Sequence, residues 1–245
     1  LLHESIPLTG TIVSGTYADT NIKNYAHGMF QSVYDYPYLS SSANHIFDIT
    51  LGYASQSPLS ASSNAQNSKK LNIYSQMAQV LMGYDATGSI LRFDADGNVA
   101  DGGTKHNDVF FLNFARLLSK DEIKKGTFQL ELGVGGTYAQ NGTVFARRLI
   151  IEDSSGSAGF LVNSPAGEYG VLYATGSTHN GVLENASSTN KDPIGLIFYQ
   201  AGVAVISGSV FMSEDDGGIL NNTLQHNVSM SGPSGINERF EALLT

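Results

Sequence analysis

The 245-residue chain has no cysteine and no tryptophan, six prolines, and few charges, with 14% of its residues Asp, Glu, Lys or Arg. Without cysteine there can be no disulfide, thiolate metal site, iron–sulfur cluster or cysteine nucleophile. Without tryptophan the strongest platform for stacking sugars is missing. Thirteen Lys and Arg against 22 Asp and Glu give a formal charge of −9. That leaves no basic stripe to neutralise phosphates and release counterions, so no nucleic-acid partner is expected. No apolar run approaches the ~20 residues that span a bilayer, and the N-terminus lacks the charged-then-apolar pattern of a signal peptide. No membrane partner is expected either. The chain opens at Leu1 without methionine, so an N-terminal piece removed, or lying outside this chain, is expected.

Against these shortages stand 41% hydrophobic and 10% aromatic residues, enough to bury a core and offset the ordering entropy of folding. Gly reaches 27 residues, and Ser, Thr and Asn are abundant, so the surface must consist largely of neutral polar groups. Such surfaces suit proteins covered by neighbours, since interface cores are depleted of charge, although secreted adhesins share the bias. The length fits one large all-β domain or two small ones.

Along the chain, a tyrosine cluster, Tyr34, Tyr36 and Tyr38, is interrupted by Pro37 and suits an extended edge or loop. Ile46 to Tyr53 alternates, with Phe47, Ile49, Leu51 and Tyr53 on one face, as a half-buried strand does. Gln56 to Lys69 is rich in Ser, Asn and Gln and reads as a flexible loop. Leu71, Tyr74, Met77, Ala78, Leu81 and Met82 fall at helical spacing before Gly83, which predicts a helix over 69–82. Ile90 to Phe93 reads as a strand entering a tight turn at Asp96-Gly97. Ser119 to Gly126 carries the cap, charges and stop of a one- or two-turn helix. Phe128, Leu130, Leu132 and Val134 alternate as a strand, and further strands are expected at 148–152, 159–162, 169–174, 195–199 and 202–211. GLIFYQ and AGVAVISGSVF are apolar on both faces, as in central strands covered on each side, with 200–202 turning between them. Ile236 to Leu244 repeats at helical spacing and closes the chain.

The fold class is therefore mainly β with a few short helices: an antiparallel β-sandwich or barrel-like domain with a loop-rich N-terminal region. Residues 1–125 form that region, with strands and one helix, continuous with a β-rich core over 126–245 that ends in a short helix. No fixed-period repeat and no linker divides them.

Chemistry-bearing patterns are scarce. The six histidines, His3, His27, His45, His106, His179 and His226, show no metal-site spacing. There is no G-x-S-x-G elbow and no phosphate-binding P-loop, and Gly133 to Gly136 reads as a loop or bulge. Asp94, Asp96, Asn98 and Asp101 are the candidate metal cluster, being oxygen donors close together on a turning backbone. Their spacing departs from the helix-flanked calcium loop, so a hairpin turn without ion is expected, and no cofactor. Glu214, Asp215 and Asp216 read as a solvated acidic loop, and the Asn-x-Ser/Thr sequons at Asn141, Asn185, Asn221 and Asn227 as chance in an Asn-rich chain. No catalytic residue is assigned. Phe198, Tyr199, Val203, Val205 and Phe211 are the residues expected in the core or a central interface, and Tyr34, Tyr36 and Tyr38 in a peripheral contact.

Four stretches, LNIYSQMAQVLMGYDATGSILRFD, NDVFFLNFARLLSKDEIKKGTFQLELGV, NSPAGEYGVLYATG and GLIFYQAGVAVISGSVF, resemble virion structural proteins of large T4-like tailed phages infecting cyanobacteria and related aquatic bacteria. The similarity covers roughly Ser14 to Phe211. It implies a non-enzymatic particle component of the tail, baseplate or neck, assembled in the host cytoplasm. Its implied partners are other virion structural proteins, including copies of itself. It also implies a chain continuing past the final helix-like segment. A receptor- or glycan-binding tail module and a capsid decoration protein are the alternative expectations.

Overall fold

A computed structural model describes residues 22–26, 29–34, 36–61, 65–98, 102–114, 122–134, 147–153, 159–175 and 192–211. These residues form ten strands and one α-helix: β1 (Ile22–Asn24), β2 (Gln31–Tyr34), β3 (His45–Tyr53), α1 (Ala65–Leu81), β4 (Asp108–Phe114), β5 (Gln129–Val134), β6 (Arg147–Glu152), β7 (Leu161–Ser164), β8 (Gly167–Thr175), β9 (Asp192–Phe198) and β10 (Val203–Ser207). All strands lie in one antiparallel sheet of order β1-β2-β3-β4-β10-β9-β8-β6-β5, with β7 beside the start of β8. The mainly β, sandwich-like expectation holds. Strands from both sides of residue 125 share the sheet, because β4 pairs with β10, Val205 opposite Phe111.

The sheet is buried on both faces, as the two-sided apolar strands require. Along β4, Val109 and Phe111 point to one cluster and Phe110 and Leu112 to the other; along β10, Val203 and Val205 alternate likewise with Ala204 and Ile206. On the first face sits α1, which contributes Tyr74, Ala78 and Leu81, followed by Met82. Its first turn has no acidic residue and its last no basic one, so packing of this apolar stripe, and not terminal charge, stabilises it. It stops at Gly83, whose φ of 82° is left-handed. The Gly83 and Met82 amides both donate to Ala78 O, at 3.1 and 2.8 Å, capping the last carbonyls. Gly52 lets α1 approach β3: a Cβ there would stand 3.0 Å from Tyr74 N and 2.8 Å from Phe111 Cε2.

The second face is closed by curling of the sheet. Phe114 of β4 lies 5.8 Å, ring to ring, from both Phe47 of β3 and Phe128 at the entry to β5. Leu130 and Leu132 pack against the same cluster, so both faces lose water within one chain.

Local expectations were corrected in four places, one of them the strand expected over 202–211, where β10 ends at Ser207 and Gly208–Phe211 is a 3-10 turn. Gln56 to Lys69 is not a loop throughout. Pro58–Ala61 is a 3-10 turn and α1 begins at Ala65, because Leu59 is buried and the Ser57 hydroxyl bonds the Asp108 carboxylate. Ile90 to Phe93 is no regular strand: only isolated bridges, Tyr84 with Ile90 and Asp94 with Lys105, flank it. The residues 122–126 form a bend and a turn, not a helix, with Gly126 at φ 73°. Their amides look outward to tertiary partners, Ile123 N to Tyr199 O at 3.0 Å and Gly126 N to Asp153 Oδ2 at 2.7 Å, which competes with local helical bonding. The proposed C-terminal helix, the acidic loop at 214–216, the four sequons, Gly135 and Gly136 lie outside the described residues.

Candidate functional site

The tyrosine cluster forms at the β2–β3 turn. Tyr34 lies 6.2 Å from Tyr38 and 5.4 Å from His45, ring to ring, and the His45 ring meets the Asp48 carboxylate at 2.8 Å. Tyr36 stands out at 58% exposure and Leu39 at 87%. The other group is internal: Phe198, Tyr199, Val203 and Val205 are all buried in the chain's own core. Phe211 ends the 3-10 turn Gly208–Phe211 that follows β10.

Of the candidate metal residues, Asp94, Asp96 and Asn98 are described. The buried Asp94 carboxylate contacts Lys105 Nζ and accepts the Asp96 amide at 3.2 Å, while Asp96 Oδ1 accepts the Asn98 amide at 2.8 Å. Asp101 lies outside the described residues. These oxygens brace a hairpin turn, with Gly97 at φ 79°. Among the described residues no three His, Cys, Asp or Glu side chains group as metal ligands.

Sequence reading missed the buried polar groups, because nothing in local spacing marks them. Around the β9–β10 turn, Lys125 Nζ pairs with Glu168 Oε2 at 2.5 Å and lies over the rings of Phe160 and Tyr199, at 5.1 and 5.5 Å. The buried Tyr199 hydroxyl lies beside the Asp153 carboxylate, close enough to couple to it, yet Tyr199 Oη and Asp153 Oδ1 do not reach hydrogen-bond geometry. Burial, then Asp153, pushes the Tyr199 phenol up, so it stays neutral. Asp153 is 1% exposed, and its Oδ2 accepts the Gly126 amide at 2.7 Å. On α1, Lys70 is buried and donates a long bond, 3.3 Å, to Met29 O. Burial, reinforced by Lys69, pushes its amine down to about 8.

Several apolar side chains are also open to solvent. Val162 is 70% exposed, Val80 63%, Tyr84 52% and Ile90 38%. The elements that carry them adjoin: Ser164 Oγ donates to Leu81 O at 2.5 Å, Gly83 stands against Pro165, and Tyr84 bridges to Ile90. The described residues hold no helix long and apolar enough to cross a membrane. No protein-family model matches the chain, and neither does any curated protein or solved structure.

Proposed function

We propose that the chain is a structural component of a tailed-phage virion, in the tail, baseplate or neck, working by protein–protein assembly and not by catalysis. The observation that carries this reading is the apolar rim of Val80, Tyr84, Ile90 and Val162. Both sheet faces are already buried within the chain, so these side chains are surplus to its own core. Apolar exposure on adjoining elements marks association surfaces. The scarcity of charge agrees with it, as does the likeness of four long stretches to virion structural proteins. The partners in this reading are other virion proteins, including copies of the chain.

Sedimentation velocity of the purified chain, alone and mixed with the other virion proteins, tests the reading. Association that weakens when Val80 and Val162 are replaced by Ser supports it. A monomer under every condition contradicts it. The exposed aromatic turn of Tyr36 beside Tyr34 and Tyr38 favours a second reading, a glycan-binding tail module. Glycan-array binding lost on Tyr36→Ala would select that reading.

A further inference from the structure

We infer that the part of the helix-side sheet face left open by α1 binds neutral sugars, through a row of polar side chains centred on Asp48 and flanked by the tyrosine turn. The inference deepens the glycan-binding reading and rests on it. Strand register sets the row: Lys23 of β1 lies opposite Ser32 of β2, Ser32 opposite Asp48 of β3, and Asp48 opposite Asn113 of β4. Directly opposed residues project to the same face. With neighbouring strands ~4.8 Å apart the row crosses about 14 Å, long enough to meet more than one sugar ring.

Alternation places this row on the face that carries α1. Gly52, four residues after Asp48 on β3, is where the helix presses on the strand through Tyr74, and Phe111, two residues before Asn113 on β4, belongs to the helix-side cluster. The next pair towards the helix, Thr50 and Phe111, is buried, whereas the Asp48 and His45 side chains keep 30% and 27% exposure. The helix therefore stops short of the row. On its other side stands Tyr34, paired with His45 across the strands, with the His45 and Tyr38 rings at 5.4 and 6.2 Å from its own.

Asp48 is held in one orientation. Its Oδ1 accepts the Ser32 hydroxyl at 2.5 Å and the His45 ring at 2.8 Å. A carboxylate only accepts, so His45 Nε2 carries the proton and Nδ1 is the acceptor of the neutral ring. Ser32, having given its proton to Asp48, accepts the Tyr25 hydroxyl at 3.2 Å. Among the described residues both bonds that Asp48 receives fall on Oδ1, which leaves Oδ2 to accept from a sugar hydroxyl. Beside it the Asn113 amide offers both a donor and an acceptor, and Lys23 ends the row with its amine 5.1 Å over the Tyr25 ring. Sugars present hydroxyls of both senses and an apolar C–H face, which suit this row and the tyrosine rings beside it. Acidic sugars do not suit it, because the central carboxylate and the chain's net charge of −9 repel them.

Isothermal titration of the full chain with maltohexaose, cellohexaose and chitohexaose, and with hexagalacturonate as the acidic probe, tests the inference. Binding of a neutral hexamer should weaken about tenfold or more in Asp48→Asn. The same loss is expected in Asn113→Ala, which leaves the His45–Asp48–Ser32 bonds in place. Should Tyr36→Ala abolish binding while both row variants keep it, the tyrosine turn alone is the site; the glycan reading then stands and the row fails. Binding to no neutral hexamer, or a preference for hexagalacturonate, overturns the inference, and the glycan array then decides the reading beneath it. If the variants do not fold, amide NMR shifts of the native chain under titration with the same hexamers decide. Shifts at Ser32, Asp48 and Asn113 support the row, and shifts confined to other residues sink it.

Discussion

The phenol of Tyr199 lies over Gly170: a Cβ built on the glycine would stand 3.2 Å from Tyr199 Cζ and closer still to the hydroxyl. Gly170 is opposite Ile197 in the β8–β9 register, on the curled face of the sheet, and its missing side chain is the space the tyrosine occupies. Gly170→Ala should therefore cost about 1–3 kcal/mol by overpacking, read as a lower midpoint in chemical denaturation. Gly102 has nothing within 4 Å of its own Cβ position, and Gly102→Ala, as the control, should leave the midpoint unmoved.

Phe93 carries the packing between helix and sheet. It is fully buried and meets Tyr74 at 5.4 Å, Phe111 at 5.6 Å and Phe198 at 6.4 Å between ring centroids. Phe93→Ala removes the shared ring from all three contacts, and about 3–5 kcal/mol of stability should go with it. Calorimetry on the variant would show a broad loss; a change under 1 kcal/mol (roughly the smallest core truncation) would refute the packing.

Much of this fold was legible from alternation. β3, α1 and β5 sit close to where apolar stripes of period 2 or 3.6 put them, and the β9–β10 pair where two continuous apolar runs put it. β1 and β2 did not announce themselves. They are three and four residues long, too short for a period to show; β2 is held by pairing to β3 and β1 by pairing to β2. The 122–126 turn carried a helix's cap and charges, and tertiary partners at Tyr199 and Asp153 outweighed them. The paired Asp94 and Lys105, and the partnerless ring nitrogen of His106, are products of chain pairing, which one-dimensional spacing does not encode.

Lys70 should prove a stability defect. Its folded value, about 8, is below the ordinary 10.5, so the charged amine is disfavoured in the fold. The penalty is complete below pH 8 and fades as pH rises to 10.5. Lys70→Met should raise stability by about 1–3 kcal/mol at pH 7, and the gain should shrink in urea titrations repeated at pH 9 and 10. A gain that is absent at pH 7, or constant with pH, would show that the amine is solvated.

Leu39, at 87% exposure, makes no demand on the fold. Leu39→Ser should change stability by less than about 0.5 kcal/mol. Should thermal unfolding of that variant move well beyond this, the β2–β3 turn would have a packing role within the chain.

Quantitative mass spectrometry of density-gradient-purified phage particles, from lysates in which this coding sequence is expressed, tests the proposed assembly role most directly. The account predicts the chain in the intact particle peak, in fixed ratio to the other structural proteins and resistant to a salt wash. Its recovery only from the soluble fraction of the lysate, absent from particles, would contradict it.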